Sequence, residues 1–407
     1  MQTAALRGLG RRGDVCDVAS PQDSWRKRLH GRFNSRFCRR VIPVASPEDD
    51  PIAFAEAVVD LCSTGEYDAV LPIQMGTVRA LLPYAKDLAA FTGTLLPTED
   101  QFAVGFDKMR TIKICREFGI AYPDSVFLVE DSCIEDISAS LGYPIVIKHR
   151  QNFGGSIGVR MVAEPSGFKP AIAELMLHTN NIQDLFVQEF LPGTLFDACV
   201  VAREGKAVRL VTQARRLMYP VSGGVGSILV TVDFPQLTEK VTHIVQALNW
   251  TGPIQLEFKW DSNRSEFSLI EINPRFWGTT GAWLREGVNF PAVAVDLAMG
   301  LEVAPMPRLP PNLRFKHLLG RMPASMIQLW RAKGFSALHD PVAYTRTRSD
   351  LDLMDPLPDL WLLLSWVKRK IASKGWLTDN SLPADLIPSF EKPIDQTIDS
   401  VTSRFSG

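Results

Sequence analysis

Three polar residues occupy alternate positions of an otherwise apolar stretch, LIEINPRFWG at 269–278: Glu271, Asn273 and Arg275. On a strand, where side chains alternate, all three share one face. A second stretch, GPIQLEFKW, alternates Gln255, Glu257 and Lys259 with Ile254, Leu256, Phe258 and Trp260. The polar run DSNRSE joins the two. A hairpin turning near Asn263–Ser265 would set Glu257 opposite or diagonal to Glu271. Facing carboxylates repel, and a hard divalent cation removes that penalty. Glu257, Glu271 and Asn273 therefore form a candidate metal set. Arg275, with its planar fork, suits a phosphate or carboxylate on the same face. Two other readings stay open: a solvated sheet face, and a glycosidase-like acid–base pair, which has no use for the adjacent Asn and Arg.

Lys148 ends the apolar strand YPIVIK, and a small-residue loop with Gly154, Gly155, Ser156 and Gly158 follows. Glycines let backbone N–H groups approach phosphate oxygens closely. The pattern is neither a P-loop nor a dinucleotide fingerprint, because the strand-like VRMV follows where those motifs require a helix. A plain hairpin is the alternative. VQEFLPG, with Gln188, Glu189, Phe190 and Leu191, ends another strand; it could meet a purine edge or simply leave the sheet.

The elements around these residues read as two kinds of architecture. Residues 1–100 alternate helix-like and strand-like pieces, as in a parallel α/β sheet. TAALRGLGRRG is a helix closing on glycine, DVCDVAS a strand, DPIAFAEAVVDLCSTGEY a helix, DAVLPI a buried strand and TVRALLPYAKDLAAF a further helix. Such a unit opens with a strand, whereas this chain starts on the helix. Residues 101–300 read as α+β with an antiparallel sheet, including a hairpin turning at Glu204–Gly205. Residues 301–407 are a partly helical extension, in which LWLLLSWV at 360–367 reads as a packed helix, with an interfacial helix as the alternative, far short of the roughly 20 residues a spanning helix needs.

The 407-residue length suggests two or three domains, and the 46% apolar, 22% charged composition is globular. A net charge of -1 makes no electrostatic case for nucleic acid. Six scattered cysteines without a CxxC pair signal neither a zinc site nor a disulfide framework, so reduced thiols in the cytoplasm are expected. The arginine-rich first forty residues, interrupted by Asp14, Asp17 and Asp23, read as a surface helix and loop; a transit peptide is the alternative.

The order of these pieces carries a resemblance. Asp107–Lys108 precedes PIVIK, the glycine loop, VQEFLPG, IQLEFKW and LIEINPRFWG. This resembles the ATP-grasp superfamily, particularly its carbamoyl-phosphate-synthetase-like carboxylate–amine ligases, over roughly residues 1–300. The resemblance implies an α/β N-terminal domain followed by α+β ATP-grasp lobes, with ATP bound between two antiparallel-sheet lobes. Lys108 and Lys148 would contact the α- and β-phosphates, and the loop Gln151–Gly158, with Gly154, Gly155, Ser156 and Gly158, would close over them. Gln188, Glu189 and Leu191 would meet the adenine and Asp197 the ribose. Glu257, Glu271 and Asn273 would hold one or two Mg²⁺, with Mn²⁺ as a substitute. Arg275 and Arg215 would steady the transferred phosphate or the substrate carboxylate. The implied reaction activates a carboxylate as an acyl phosphate for attack by an amine, releasing ADP and phosphate. A phosphotransferase with a stable phosphorylated product and a non-catalytic nucleotide-binding regulator are the alternatives. Small-molecule acid and amine substrates, no nucleic acid, no membrane span and a homodimer complete the expectations. The glycine-rich RRLMYPVSGGVGS at 215–227 stands where substrate-facing residues belong and names no substrate.

Overall fold

The structure is a computed structural model that describes residues 1–21, 34–130, 132–151, 158–221, 223–261, 263–319, 321–339 and 344–372. Helix α1 (Gln2–Arg12) ends on Gly13, whose φ of 104° is a left-handed cap that glycine adopts freely. Strands β1 (Cys16–Pro21) and β2 (Cys38–Val44) pair in parallel. Helix α2 (Pro51–Ser63) follows, with Asp50 accepting from the Ala53 N–H and proline at its first turn. The short β3 (Ala69–Val70) pairs in parallel with β4 (Gly93–Thr94). The single helix expected from TVRALLPYAKDLAAF is two, α3 (Met75–Leu81) and α4 (Ala85–Phe91), separated by a 3₁₀ turn at Leu82–Tyr84. Pro83 lies in that turn and lacks the N–H an uninterrupted helix needs. Part of the arginine-rich segment expected as helix and loop is strand β2; residues 22–33 lie outside the described residues.

Helices α5 (Glu99–Phe106) and α6 (Lys108–Glu117) lead to the first lobe. Its four-stranded antiparallel sheet runs β5-β8-β6-β7, from β5 (Ser125–Phe127), β6 (Ile145–His149), β7 (Val159–Val162) and β8 (Leu185–Glu189). Helices α7 (Ile134–Leu141) and α8 (Phe168–Leu175) cover it, α8 burying Phe168, Ala171 and Leu175.

The second lobe is a seven-stranded sheet. It is built from β9 (Leu195–Arg203), β10 (Lys206–Tyr219), β11 (Val225–Thr231), β12 (Gly252–Asp261), β13 (Glu266–Asn273), β14 (Leu313–Lys316) and β15 (Arg346–Ser349), in the order β13-β12-β9-β10-β11-β14-β15. The β9–β10 turn puts Glu204 and Gly205 at φ 50° and 74°, the left-handed pair of a tight hairpin. Helix α9 (Pro235–Ala247) buries Leu237, Val241, Ile244 and Val245 against one face, with Phe196, Phe258, Phe267 and Trp250. Helix α10 (Phe290–Ala298) closes the other face. The sheet takes its last two strands from beyond residue 300, a segment expected only as a partly helical extension.

Helix α11 (Arg321–Lys333) packs Leu329 on Leu217 and Ile228. Helix α12 (Pro356–Ala372) carries LWLLLSWV, but Leu357, Leu360 and Leu364 are exposed rather than packed. Its anchor is polar. Arg7, almost fully buried, donates to Asp355 (3.0 Å) and Asp359 (2.8 Å) and lies 3.3 Å from Asp352. Among the described residues no helix is long and apolar enough to cross a membrane.

Candidate active site

Register decides the centre of the site. Strands β12 and β13 pair antiparallel with Glu257 opposite Glu271 and Gln255 opposite Asn273. Across the other edge of β12, Glu257 stands opposite Asp197 of β9. Asp197, Glu257 and Glu271 thus form a row across three adjacent strands. A register shift after Glu257 marks a bulge, a feature that re-aims side chains. Three carboxylates in cross-strand sequence are unfavourable unless cations meet them. Arg215 of β10 does so at one end: it donates to both Asp197 oxygens (3.0 and 2.6 Å) and to Glu257 (2.5 Å). At the other end Lys108 lies 3.4 Å from Glu271. Asn273 donates to Glu257 (3.3 Å), and Arg275 donates to Asn273 Oδ1 (3.1 Å) and the Phe276 carbonyl (2.7 Å).

The facing glutamates differ in proton affinity. Burial raises Glu257 above the usual carboxylate range, helped by the charges of Glu271 and Asp197 and opposed by Arg215. Burial would raise Glu271 too, but Lys108, Lys148 and Arg275 together bring it below its ordinary value. Among the described residues no three His, Cys, Asp or Glu side chains converge as a metal cage. Two facing carboxylates and an amide oxygen are a partial donor set. It fits Mg²⁺ or Mn²⁺ when phosphate oxygens and water complete the shell.

Two lysines complete the surroundings, Lys148 from the other sheet and Lys259 from β12 itself. Lys148, near the end of β6, is buried and donates to Gln188 (2.6 Å), which in turn donates to Ser125 (2.9 Å). Lys259 donates to the Leu191 carbonyl and sits 4.8 Å from the Phe190 ring centroid. Burial lowers both ammonium groups to about 8, with Lys148 adding its charge against Lys259. Asp107 takes Arg150 in a two-pronged pair (2.8 and 2.6 Å), which brings the start of α6 to the strand that leads into the glycine loop. A cleft of about 780 Å³ between the two sheets is lined by Lys148, Gln188, Glu189, Leu191, Asp197, Arg215, Glu257, Glu271, Asn273 and Arg275.

The fold brings these ten expected residues to one cavity, and Lys108 reaches it through Glu271. Gly154, Gly155 and Ser156 lie outside the described residues; Gly158, at the loop's return, accepts the His149 N–H (2.7 Å). Asp197 is placed differently from its expected ribose role. It is fully buried, and both its oxygens are taken by Arg215, with Gln213 adding a third bond at 3.2 Å. A carboxylate so committed positions Arg215. Two residues went unassigned in the sequence. Lys259 shares the alternating face of Gln255 and Glu257, and that alternation was a usable signal. Arg321, which also lines the cleft, arrives from beyond β14 and left no local signal.

Residues 181–319 match a protein-family model described as ATP-grasp in the biosynthetic pathway with Ter operon. Two solved structures share the arrangement of lobes. N5-carboxyaminoimidazole synthetase from Staphylococcus aureus, complexed with ADP, superposes with a TM-score of 0.60 at 14% identity, covering 78% of this chain and 79% of that one. An L-amino acid ligase from Bacillus licheniformis gives a TM-score of 0.55 at 17% identity, covering 72% and 70%. This is an ATP-grasp fold. Among curated proteins, this chain is 23% identical over 190 residues to the N-terminal section of a carbamoyl phosphate synthase large chain from Methanopyrus kandleri, covering 44% of this chain and 33% of the relative. It is 25% identical over 215 residues to a D-alanine–D-alanine ligase from Acinetobacter baylyi, covering 48% and 66%. The match thus spans a third of the first relative and just under two thirds of the second.

Proposed function

We propose that the chain is an ATP-dependent ligase that activates a carboxylate as an acyl phosphate for attack by an amine. The observation that carries this is the carboxylate row Asp197–Glu257–Glu271 lining one cleft with Lys259 and Arg275 of the same lobe, and with Lys148 of the other sheet. In this reading the adenine lies by Gln188, Glu189 and Leu191, and Lys108, Lys148 and Lys259 draw the phosphates. Lys148 and Lys259, lowered by burial, regain their protons' stability as phosphate charge arrives. Mg²⁺ or Mn²⁺ at Glu257, Glu271 and Asn273 would supply further neutralisation of the phosphates.

A substrate carboxylate oxygen attacks the γ-phosphorus, the bond to the bridging oxygen breaks, and ADP leaves. The amine then attacks the acyl carbon, and phosphate leaves with the acyl–oxygen bonding pair. Phosphoryl transfer needs alignment and charge stabilisation above all. Arg275, held by Asn273 and its own Phe276 carbonyl, is aimed to take the acyl oxyanion with the rest of its fork. Arg215, fixed by Asp197, keeps Glu257 in place. No histidine base is required.

An ADP-release screen against paired panels of acids and amines tests the reading. ADP should form when both partners are present, and hydroxylamine should trap the activated acid as a hydroxamate. A stable phosphorylated product with no hydroxamate would replace the ligase by a phosphotransferase.

A further inference from the structure

Among the described residues four arginines line the cleft, and three of them have side-chain partners there. Arg160 holds Glu174 (2.6 Å), Arg215 holds Asp197 and Glu257, and Arg275 holds Asn273 and the Phe276 carbonyl. Arg321 is different. It opens α11, yet among the described residues its buried Nη1 has no hydrogen-bond partner. Its guanidinium lies against Gly278, three residues beyond Arg275: a methyl group built on Gly278 would sit 3.6 Å from Nη1 and 3.9 Å from Nη2. The carboxylate nearest to hand is Asp350, whose oxygens are engaged by the Leu318 N–H (2.9 Å) and His317 Nδ1 (3.2 Å). A buried donor without a partner is unfavourable, and an unpaired buried cation more so.

We propose that Arg321 anchors a second carboxylate of the substrate, one that is not phosphorylated, so that the substrates include an amino acid or a dicarboxylic acid. This rests on the ligase reading above. The geometry separates the two anion positions. Arg275 adjoins the metal set, whereas Arg321 lies beyond Arg215 on the side of Val225, Gly226 and Gly278. A single uncommitted guanidinium balances a single carboxylate charge, and its planar fork matches that group's two oxygens. Burial disfavours the charged form of Arg321, and the neighbouring Arg215 adds to this while Asp350 opposes it, so an incoming anion relieves both effects.

The test uses the full chain with MgADP, which permits binding without turnover. The twenty common L-amino acids, succinate and glutarate are titrated by thermal shift, each beside the amide of one carboxylate. The parent should prefer at least one acid over its amide by tenfold or more. Arg321→Gln should abolish that preference, and Arg321→Lys should restore part of it. MgADP affinity should stay unchanged in both, and ligand-free Arg321→Gln should melt no lower than the parent. An acid preference missing in the parent, or kept in Arg321→Gln, overturns the proposal, as does a lower ligand-free melting temperature with the preference intact. MgADP binding by the parent is a separate arm. Its absence would remove the ligase reading, while the acid-against-amide comparison, run without nucleotide, would still judge Arg321.

Discussion

Two clusters in this molecule set carboxylates around an arginine, three at Arg7 and two at Arg215, and they are built to opposite ends. Around Arg7 stand Asp352, Asp355 and Asp359, all from one short stretch of chain. Their remaining capacity is used by the fold: Asp355 accepts from Ser35 and the Arg36 N–H, and Asp359 from the Asp352 N–H. Around Arg215 stand Asp197 and Glu257, with Glu271 next in the row, each from a different strand. There Glu271 keeps its contact with Lys108 at the edge of a cleft full of lysines. The first cluster is closed, with every group answered from within the protein. The second leaves donor and acceptor capacity pointing at a cavity, which separates a clasp from a site.

Substitution can break this contrast. The largest effect is expected for Glu271→Gln: turnover should fall by roughly a thousandfold, as for loss of a preorganised electrostatic contact. The metal-free protein should melt only slightly lower, because the lost attraction to Lys108, Lys148 and Arg275 is partly offset by the lost repulsion from Glu257. A marked drop in melting temperature would make Glu271 a structural group like Asp359. Arg7→Met should do the reverse. Removing one partner of a buried ion cluster costs about 3 kcal/mol or more, so denaturant unfolding should shift while turnover per folded molecule stays the same. Arg275→Lys sharpens the comparison at one position. A lysine keeps the charge but not the fork, so turnover should drop about a hundredfold with MgATP affinity nearly unchanged. A lysine variant as fast as the parent would place Arg275 with the closed kind of arginine.

The smallest effect is a pH dependence. Lys148 and Lys259 are lowered from 10.5 to about 8 by burial, so between about 8 and 10.5 the unfolded chain binds more protons at these two sites than the folded one. The contribution of these two amines to stability should therefore rise with pH across that window and be constant below about 8, whereas the thiols of Cys16, Cys62, Cys115 and Cys199, raised by burial, act in the opposite direction above about 9. Lys259→Met should flatten the rise. A Lys259→Met profile parallel to the parent's between pH 8 and 10 would contradict the burial of this amine.

What the sequence made legible follows the range of the signal. Alternation in GPIQLEFKW and LIEINPRFWG set the face, and one polar turn between them set the register, so the Glu257–Glu271 pairing needed only local information. Glu204–Gly205 likewise announced its own hairpin. Asp197 was harder. Its neighbours PGTLFDACV identify a strand, but only the lateral pairing of β9 with β12 and β10 shows that Arg215 takes its carboxylate. Arg321 and strands β14 and β15 were illegible for the same reason in stronger form, since their partners are far away in sequence. The apolar run of α12 misled outright, because hydropathy reports what a helix could bury and not what holds it. The polar anchor at Asp355 and Asp359 depends on a residue near the other end of the chain.

That distance bears on how the molecule is made. Arg7 and Asp355 are separated by 348 positions. At a synthesis rate of about 5–20 residues per second, the helix bearing Arg7 emerges tens of seconds before its counterions exist. During that interval its guanidinium stays hydrated, while the helix already has partners in Asn289 and Asp296 of the α10 region. The Arg7 clasp, rather than the helix that bears it, is thus the contact that waits until translation has passed residue 359.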